Sequence, residues 1–488
     1  MTDRRAESPS AAHRDGRWLA LAVLCLGVLM IVLDTTVVNV ALPSIKADLG
    51  FTESALAWVV NGYMLTFGGF LLLGGRLGDL FGHRRLFLIG LAGFTLASLA
   101  CGLSGSQGVL VAARAVQGLG GAVVSAVALS LIMDLFTEPA DRAKAMGVYG
   151  FVAAGGGSIG VLLGGLLTGW LSWHWIFLIN LPIGAAVFAL SLMLLPAGGR
   201  NEAARHLDIA GAVTVTAAMM LAVYAVVNGN EVGWTSPRTL GLLAAAVVLL
   251  IAFLAIETRV AVPLMPLGLF RRHSLAVASV IGMLWAAAMF AWFFLSALYM
   301  QQVLDYGPME VGLAFLPANL IMAAFSLGLS ARLVMRFGIR LPIVIGLLLA
   351  AAGLALFAWA PVEGRFALHV LPGMLLLGLG CGMALNPVLL AAMSEVAPTD
   401  SGLASGMVNT AFMMGGALGL AILASLAASR TGGLLAAGAG TPAALVGGYQ
   451  AAFLAGACFA ALAAVLGAVL LRTPPAAETS REAEPAAS

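Results

Sequence analysis

Charge is what this chain has least of. Only 9% of its 488 residues are Asp, Glu, Lys or Arg, against 61% hydrophobic, whereas soluble domains carry about 25% charged residues. A water-soluble fold of this size cannot hide that much apolar surface, so the chain reads as a polytopic membrane protein. Histidine and cysteine are also scarce, at six and four. Neither type recurs at metal-ligand spacing. Cys25, Cys101, Cys381 and Cys458 all fall within apolar runs, which favours packing over metal or redox chemistry. Gly155-Gly156-Gly157 lies inside an apolar run and lacks the Lys-Ser/Thr of a phosphate loop. No polar stretch is large enough for a nucleotide- or nucleic-acid-binding domain. The short loops carry no paired catalytic acids or His–Asp sets, which argues against a membrane transferase. The expectation is a protein with no cofactor or metal, drawing on an ion gradient rather than ATP.

Long apolar runs are what the chain has instead. A membrane span needs about 20 apolar residues. Such runs lie near 18–42, 55–75, 86–104, 108–133, 145–169, 175–195, 208–228 and 239–257. Six more follow near 275–300, 311–331, 341–360, 369–391, 402–427 and 448–471, making fourteen. They are continuous rather than alternating, so they predict helices and not barrel strands. The first follows Arg4, Arg5, Arg14 and Arg17. It exceeds the roughly 7–15 residues of a signal-peptide core and has no small-residue cleavage site before Lys46, so it reads as an uncleaved span.

An even count puts both termini on one side, and basic residues mark the cytoplasm. Nineteen Lys and Arg fall on the terminal side, from the amino-terminal tail through Arg76, Arg84, Arg85, Arg142 and Lys144 to Arg472 and Arg481. Lys46, Arg238, Arg365 and Arg430 alone fall opposite, and Arg114 completes the 24. Both termini are therefore expected in the cytoplasm. Residues 1–16 and 473–488 read as disordered cytoplasmic tails.

The two ends of the chain resemble each other. Arg76-Leu77-Gly78-Asp79-Leu80-Phe81-Gly82-His83-Arg84 aligns with Arg332 to Arg340, Gly118-Leu119-Gly120 with Gly378-Leu379-Gly380, and Gly147, Gly156, Gly157 and Gly160 with Gly406, Gly415, Gly416 and Gly419. The offsets of 256, 260 and 259 are nearly constant, and they pair span 2 with 10, 4 with 12 and 5 with 13. The expected organisation is a six-helix bundle over 17–196, a linker with two inserted spans over 197–258, and a second bundle over 259–472. A parallel repeat of this kind places a substrate site near the midplane between halves that rock against each other.

Two charges lie deep in the spans. Asp34 stands eight residues before Leu42, at the far end of span 1, and Arg114 six residues after Gly108, at the start of span 4. At about 1.5 Å per residue both are roughly 9–12 Å below the same surface. A charge at membrane depth costs roughly 2.5–3.5 kcal/mol on insertion scales and marks a functional candidate with a partner. Met374 stands where the second half would carry an equivalent of Arg114.

Several stretches carry a family likeness. Gly75 to Arg85 resembles the signature loop of the major facilitator superfamily, and Arg114-Ala115-Val116-Gln117-Gly118 its membrane-embedded Arg motif. The glycines at 147, 156, 160 and 164 resemble its antiporter motif. Leu33 to Pro43, Trp173-His174-Trp175-Ile176-Phe177-Leu178-Ile179-Asn180-Leu181-Pro182 and Leu298-Tyr299-Met300-Gln301-Gln302 resemble the fourteen-helix drug:proton antiporter branch. The resemblance covers roughly 17–472. It implies an all-α major facilitator fold of two six-helix bundles plus two inserted helices, with spans 1 and 4 beside the central cavity.

It further implies a proton antiporter of the bacterial cytoplasmic membrane, expected as a monomer. The cargo would be amphipathic drugs, antiseptics or antibiotics, cations among them, exported by alternating access. A dedicated exporter of one metabolite, lipid or siderophore is the alternative within transport, and a non-transporting sensor the alternative outside it. Asp34 and Arg114 become the proton-coupling pair. Asn39, Trp58, Asn61, Tyr63, Gln117, Trp285, Phe293, Asn319 and Asn409 become candidates for the cavity wall. Gly75, Gly78, Asp79, Gly82, Arg84, Gly156, Gly160 and Gly164 become the latch and gating set.

The chain departs from the pattern at four places. Leu80 stands where Arg often follows Asp79, so the latch is expected either to have a thinner charge network or to borrow Arg84, and Val161 stands where Pro is usual. Asn61 replaces an acid found in some multidrug relatives, and Met335 replaces Asp79 in the second copy.

Overall fold

A computed structural model describes residues 11–196, 208–260, 263, 265–396 and 401–471. The first half holds α1 (Ala11–Leu49), α2 (Glu53–Phe81), α3 (His83–Gly102), α4 (Gln107–Leu135) and α5 (Pro139–Trp170). Its sixth span is broken into α6 (Trp175–Leu178) and α7 (Asn180–Leu194). The inserted pair is α8 (Ile209–Val232) and α9 (Pro237–Glu257). The second half runs α10 (His273–Gln302), α11 (Pro308–Ala324), α12 (Ser330–Phe337), α13 (Arg340–Phe357), α14 (Leu371–Met393), α15 (Ser401–Ala436) and α16 (Thr441–Leu470). No strand occurs among the described residues. Twelve of the described helical stretches are long and apolar enough to cross a membrane. Two shorter apolar ones, Ile159–Trp170 and Pro308–Ala324, fall on the remaining two predicted spans.

The ends of these helices follow from local chemistry. Thr52, Ser106 and Asp208 each accept the backbone N–H three residues on, which satisfies one of the first unpaired donors of α2, α4 and α8. Gly82 closes α2 with φ of 90°, a backbone conformation that side chains resist, and lets α3 start at once. Gly338 repeats the device after α12 with φ of 75°, at the repeat offset.

The repeat is visible in the packing. α1 lies on α5 as α10 lies on α15. α2 and α3 flank α4 as α11 and α13 flank α14. The halves meet through two pairs that the repeat interchanges, α2 with α15 and α5 with α11. A Cβ on Gly68 would come 2.8 Å from Met413 Cβ, and one on Gly165 would come 2.7 Å from the Pro308 carbonyl. Both seams are therefore backbone-close, as glycine permits between membrane helices. α8 packs on α2 and α15, where Asn230 Nδ2 donates to the Ser425 carbonyl at 2.7 Å, while α9 rests on α8. The inserted hairpin thus flanks one seam, and α9 presents Val247, Val248 and Ile251 outward.

Some expectations need correction. The predicted tail 1–16 is helical from Ala11, because Ala11-Ala12 continues α1 upstream without a breaker. Residues 1–10 and 473–488, predicted as disordered, lie outside the described residues. The predicted run 175–195 is two helices that meet at Ile179. The run 311–331 contains a wide turn over Phe325–Leu329, where Gly328 has φ of 130°. Cys25, Cys101 and Cys381 are buried, but Cys458 is exposed on α16.

Candidate functional site

α1 brings Asp34 inward and α4 brings Arg114 to meet it. Asp34 is 1% exposed and Arg114 is fully buried. Arg114 Nη1 donates to Asp34 Oδ2 at 2.5 Å, and its Nε donates to the Val59 carbonyl of α2 at 2.9 Å. The guanidinium lies 4.5 Å from the centre of the Tyr63 ring and 5.6 Å from that of Phe177, where ring quadrupoles favour a cation.

The other carboxylate oxygen is held by two amides. Gln117 Nε2 donates to Asp34 Oδ1 at 2.7 Å, and Asn180 Nδ2 donates to the same atom at 2.9 Å. Ser98 Oγ on α3 accepts from both amides, at 2.8 and 3.3 Å, and itself donates to the Phe94 carbonyl. Gln117 Oε1 accepts in turn from Arg114 Nη1 at 2.7 Å. Five helices of the first half thus converge on one carboxylate. Every contact to it is a donor, which suits an ionised carboxylate, an acceptor only.

The glycines of α5 set the position of α1. A Cβ on Gly156 would come 2.9 Å from Leu29 Cδ1, one on Gly160 would come 3.0 Å from the Leu33 carbonyl, and one on Gly164 would come 2.7 Å from the Val37 carbonyl. These residues bracket Asp34. Gly164→Val should therefore displace α1 and lower thermal stability by about 1–3 kcal/mol, with transport falling too. Gly93→Ala is the control, since nothing lies within 4 Å of it, and it should leave the melting temperature unchanged or raised. Equal melting temperatures for the two variants would contradict the packing.

On the face where α1 ends, the halves are clasped by side chains. Gln301 Nε2 of α10 donates to the Val40 carbonyl of α1 at 2.8 Å. Gln302 Oε1 accepts from Lys46 Nζ at 3.4 Å and from the Tyr449 hydroxyl at 3.3 Å.

The remaining predicted residues fall in several places. Asn61 and Tyr63 are buried on α2, with Tyr63 beneath Arg114. Trp285 is buried on α10, Phe293 stacks on Phe315 at 5.3 Å, and Asn319 is buried one turn further along α11. Asn39 turns back to the Thr35 carbonyl of its own helix at 3.4 Å. Trp58 lies 6.4 Å from the Tyr224 ring of the inserted α8, and Asn409 is exposed on α15. Gln117, expected in the cavity wall, is bonded into the charged pair.

In the latch set, Gly78 lets α2 approach α4 and His83, with a Cβ there 3.1 Å from Val127 Cγ2. Gly75 lies beside α4 without crowding, and Gly82 makes the turn. His83 Nδ1 lies 2.8 Å from Asp134 Oδ2. Arg84 Nη2 donates to the Leu192 carbonyl of α7. The Asp79 side chain lies outside the described residues.

Sequence reasoning missed Asn180 and Ser98. Asn180 stood within the Trp173–Pro182 stretch, but nothing in the order of residues tied it to span 1. Ser98 carries no sequence signal at all, being one small hydroxyl in an apolar run.

Known proteins agree with this architecture. The family model described as Major Facilitator Superfamily matches residues 24–420. The puromycin resistance protein pur8 of Streptomyces alboniger is 41% identical over 471 residues, covering 95% of this chain and 93% of its own length. The cephamycin export protein CmcT of Amycolatopsis lactamdurans is 39% identical over 466 residues, covering 93% and 94%. Among solved structures, the nucleoside transporter NupG (D323A mutant) superposes with a TM-score of 0.64 at 14% identity, over 93% of this chain and 100% of its own. That likeness concerns the fold alone.

Proposed function

Because the chain belongs to the Major Facilitator Superfamily, we propose that it is a secondary transporter that exports antibiotics or similar amphipathic small molecules in exchange for protons. Export is supported by relatives whose printed names specify puromycin resistance and cephamycin export. The single observation that supports proton exchange is the sealed Asp34–Arg114 pair, with Gln117 and Asn180 closed around it.

Asp34 has only donors for neighbours. A proton arriving on the carboxylate needs an acceptor, so Gln117 or Asn180 must turn its amide oxygen inward, or one donor must withdraw. Protonation also removes the attraction that holds α1 to α4. Either change shifts α1, which carries the Val40 carbonyl of the clasp two turns further on. Proton binding and opening of that face are thereby linked on one helix, and cargo is exposed to the two sides alternately.

Purified protein in liposomes tests the exchange. An imposed pH gradient should drive uphill movement of puromycin or a cephamycin, and collapse of that gradient by an ionophore should stop it. Movement that ignores the gradient would overturn proton coupling. The count of basic residues supports termini in the cytoplasm of a bacterial inner membrane. Fusion of a cytoplasm-active reporter at residue 488 should give signal, and fusion near Arg365 should not. A single-metabolite exporter is the second reading, and it would ignore most unrelated competitors in a transport assay.

A further inference from the structure

Seven of the thirteen buried side-chain polar atoms without partners among the described residues lie on four helices drawn from both halves. Among the described residues, Asn61 Nδ2 and Oδ1, Tyr63 Oη, Arg114 Nη2, Trp285 Nε1, Trp292 Nε1 and Asn319 Nδ2 are buried and bonded to nothing. None of these six residues is more than 4% exposed. They come from both halves, on α2, α4, α10 and α11. Counted from the helix ends near the clasp at about 1.5 Å per residue, five of them lie roughly 10–17 Å in and Trp285 roughly 25 Å in.

Some of these residues share neighbours. Tyr63 lies under Arg114. Its neighbour Met64 and Phe290, which lies between the two tryptophans, crowd the same point on α15: a Cβ on Gly416 would meet Phe290 at 2.6 Å and Met64 at 2.7 Å. Trp292 stands 4.4 Å from Phe293 and 5.9 Å from Phe315, ring to ring. Asn319 follows Phe315 by one turn.

A buried donor with no partner costs about 1–3 kcal/mol, and native proteins leave few of them. Seven such atoms on four helices drawn from both halves mark a place where a visiting molecule supplies the partners. The balance of their chemistry says what kind. Five of the seven can only donate, one can only accept, and the Tyr63 hydroxyl does either. Charge is already spent, because Asp34 and Arg114 neutralise each other and the described spans hold no other Asp, Glu, Lys or Arg at this level.

We infer, resting on the export reading above, that the cargo is recognised through its hydrogen-bond acceptors and not through a positive charge. The part of the cargo seated here is uncharged and carbonyl- or ether-rich, with its flat apolar face against Trp292, Phe293 and Phe315. A cation stripped of water here gains at most a ring-face contact of about 0.5–2 kcal/mol. That does not offset the several kcal/mol of desolvating an unpaired charge. An acceptor-rich neutral molecule relieves unpaired donors at no such cost.

A matched set of probes tests this on the purified protein in lipid nanodiscs, with equilibrium dialysis for binding and liposomes for transport. Doxorubicin carries a protonated amine, N-acetyldoxorubicin is its uncharged amide, and tetraphenylphosphonium is a cation without acceptors. N-acetyldoxorubicin should bind at least as tightly as doxorubicin, and tetraphenylphosphonium at least tenfold more weakly. Trp285→Phe keeps the ring and Asn319→Leu keeps the bulk. Each should weaken the neutral probe about three- to tenfold and leave tetraphenylphosphonium unchanged. Tighter binding of tetraphenylphosphonium, or an equal loss for all probes in both variants, would overturn the inference while leaving export standing. Failure of N-acetyldoxorubicin to bind would also overturn the inference, whereas the export reading is decided separately by the puromycin assay above.

Discussion

Asp34→Asn loses uphill, gradient-driven export and keeps downhill exchange of cargo across the liposome membrane. The reason lies in what surrounds the carboxyl. Asn fills the same space and still offers an oxygen to Gln117 and Asn180, but its amide N–H then faces Arg114 Nη1, donor to donor, so the fold is kept at a cost in stability. It cannot carry a proton at any pH, so the step that ties movement of α1 to the gradient disappears. Accumulation against a gradient should fall to the level of protein-free vesicles. Full gradient-driven export by this variant would place coupling elsewhere in the chain.

The second large effect is on stability, and it is unequal between the partners. Breaking a buried ion pair by removing one member costs about 3–5 kcal/mol, because the other charge is left without compensation. Asp34 has an escape from that position, since it can take a proton and become neutral. Arg114 has none, because a guanidinium does not deprotonate in proteins. The Val59 carbonyl, Gln117 Oε1 and the Tyr63 ring hold Arg114 in place, but none of them carries a formal charge. Asp34→Asn should therefore destabilise the protein more than Arg114→Met does. The double variant, with neither charge, should melt above Asp34→Asn while remaining uncoupled. A thermal-shift series on the four proteins in one detergent decides this. A double variant that melts below both singles would show that the two residues do not act as a pair. The same double variant supplies a folded, chargeless control for the transport assay.

Much of the architecture was legible before any coordinates. The all-helical build, the repeat and the inserted pair follow from apolar runs about 20 residues long and from glycines at a fixed offset, because a bilayer enforces helices and helix contacts demand small residues. The Asp34–Arg114 pair was legible for a related reason, since two charges at one depth in hydrocarbon have few alternatives to each other. Gln117 and Asn180 were not, because an amide on a span can equally bond its own helix, as Asn39 does, or cross to another. Only the rotation of α4 and the break at Ile179 decide that these two face Asp34. Trp58 shows the converse, since an aromatic near a helix end fits a cavity wall as well as an insertion partner, and α8 claims it. The Cys458 thiol reaches the outer surface of α16 because a small apolar residue there costs nothing against lipid.

One helix of this protein is bare on two sides. α5 offers Gly156, Gly160 and Gly164 to α1, and Gly165 to Pro308 and Met309 of α11, where Gly312 returns the contact at the Val161 carbonyl. The first surface touches the helix that carries Asp34, and the second touches the other half of the molecule. Side chains and backbone of α1 seat directly in the notches those glycines leave, so α5 is held close to both neighbours at once. The polar contacts that also cross between the halves are those of Gln301, Gln302, Lys46 and Tyr449. Under the proton-exchange proposal, a shift of α1 at Asp34 reaches the other half by two routes, across α5 to α11 and through the clasp to α10.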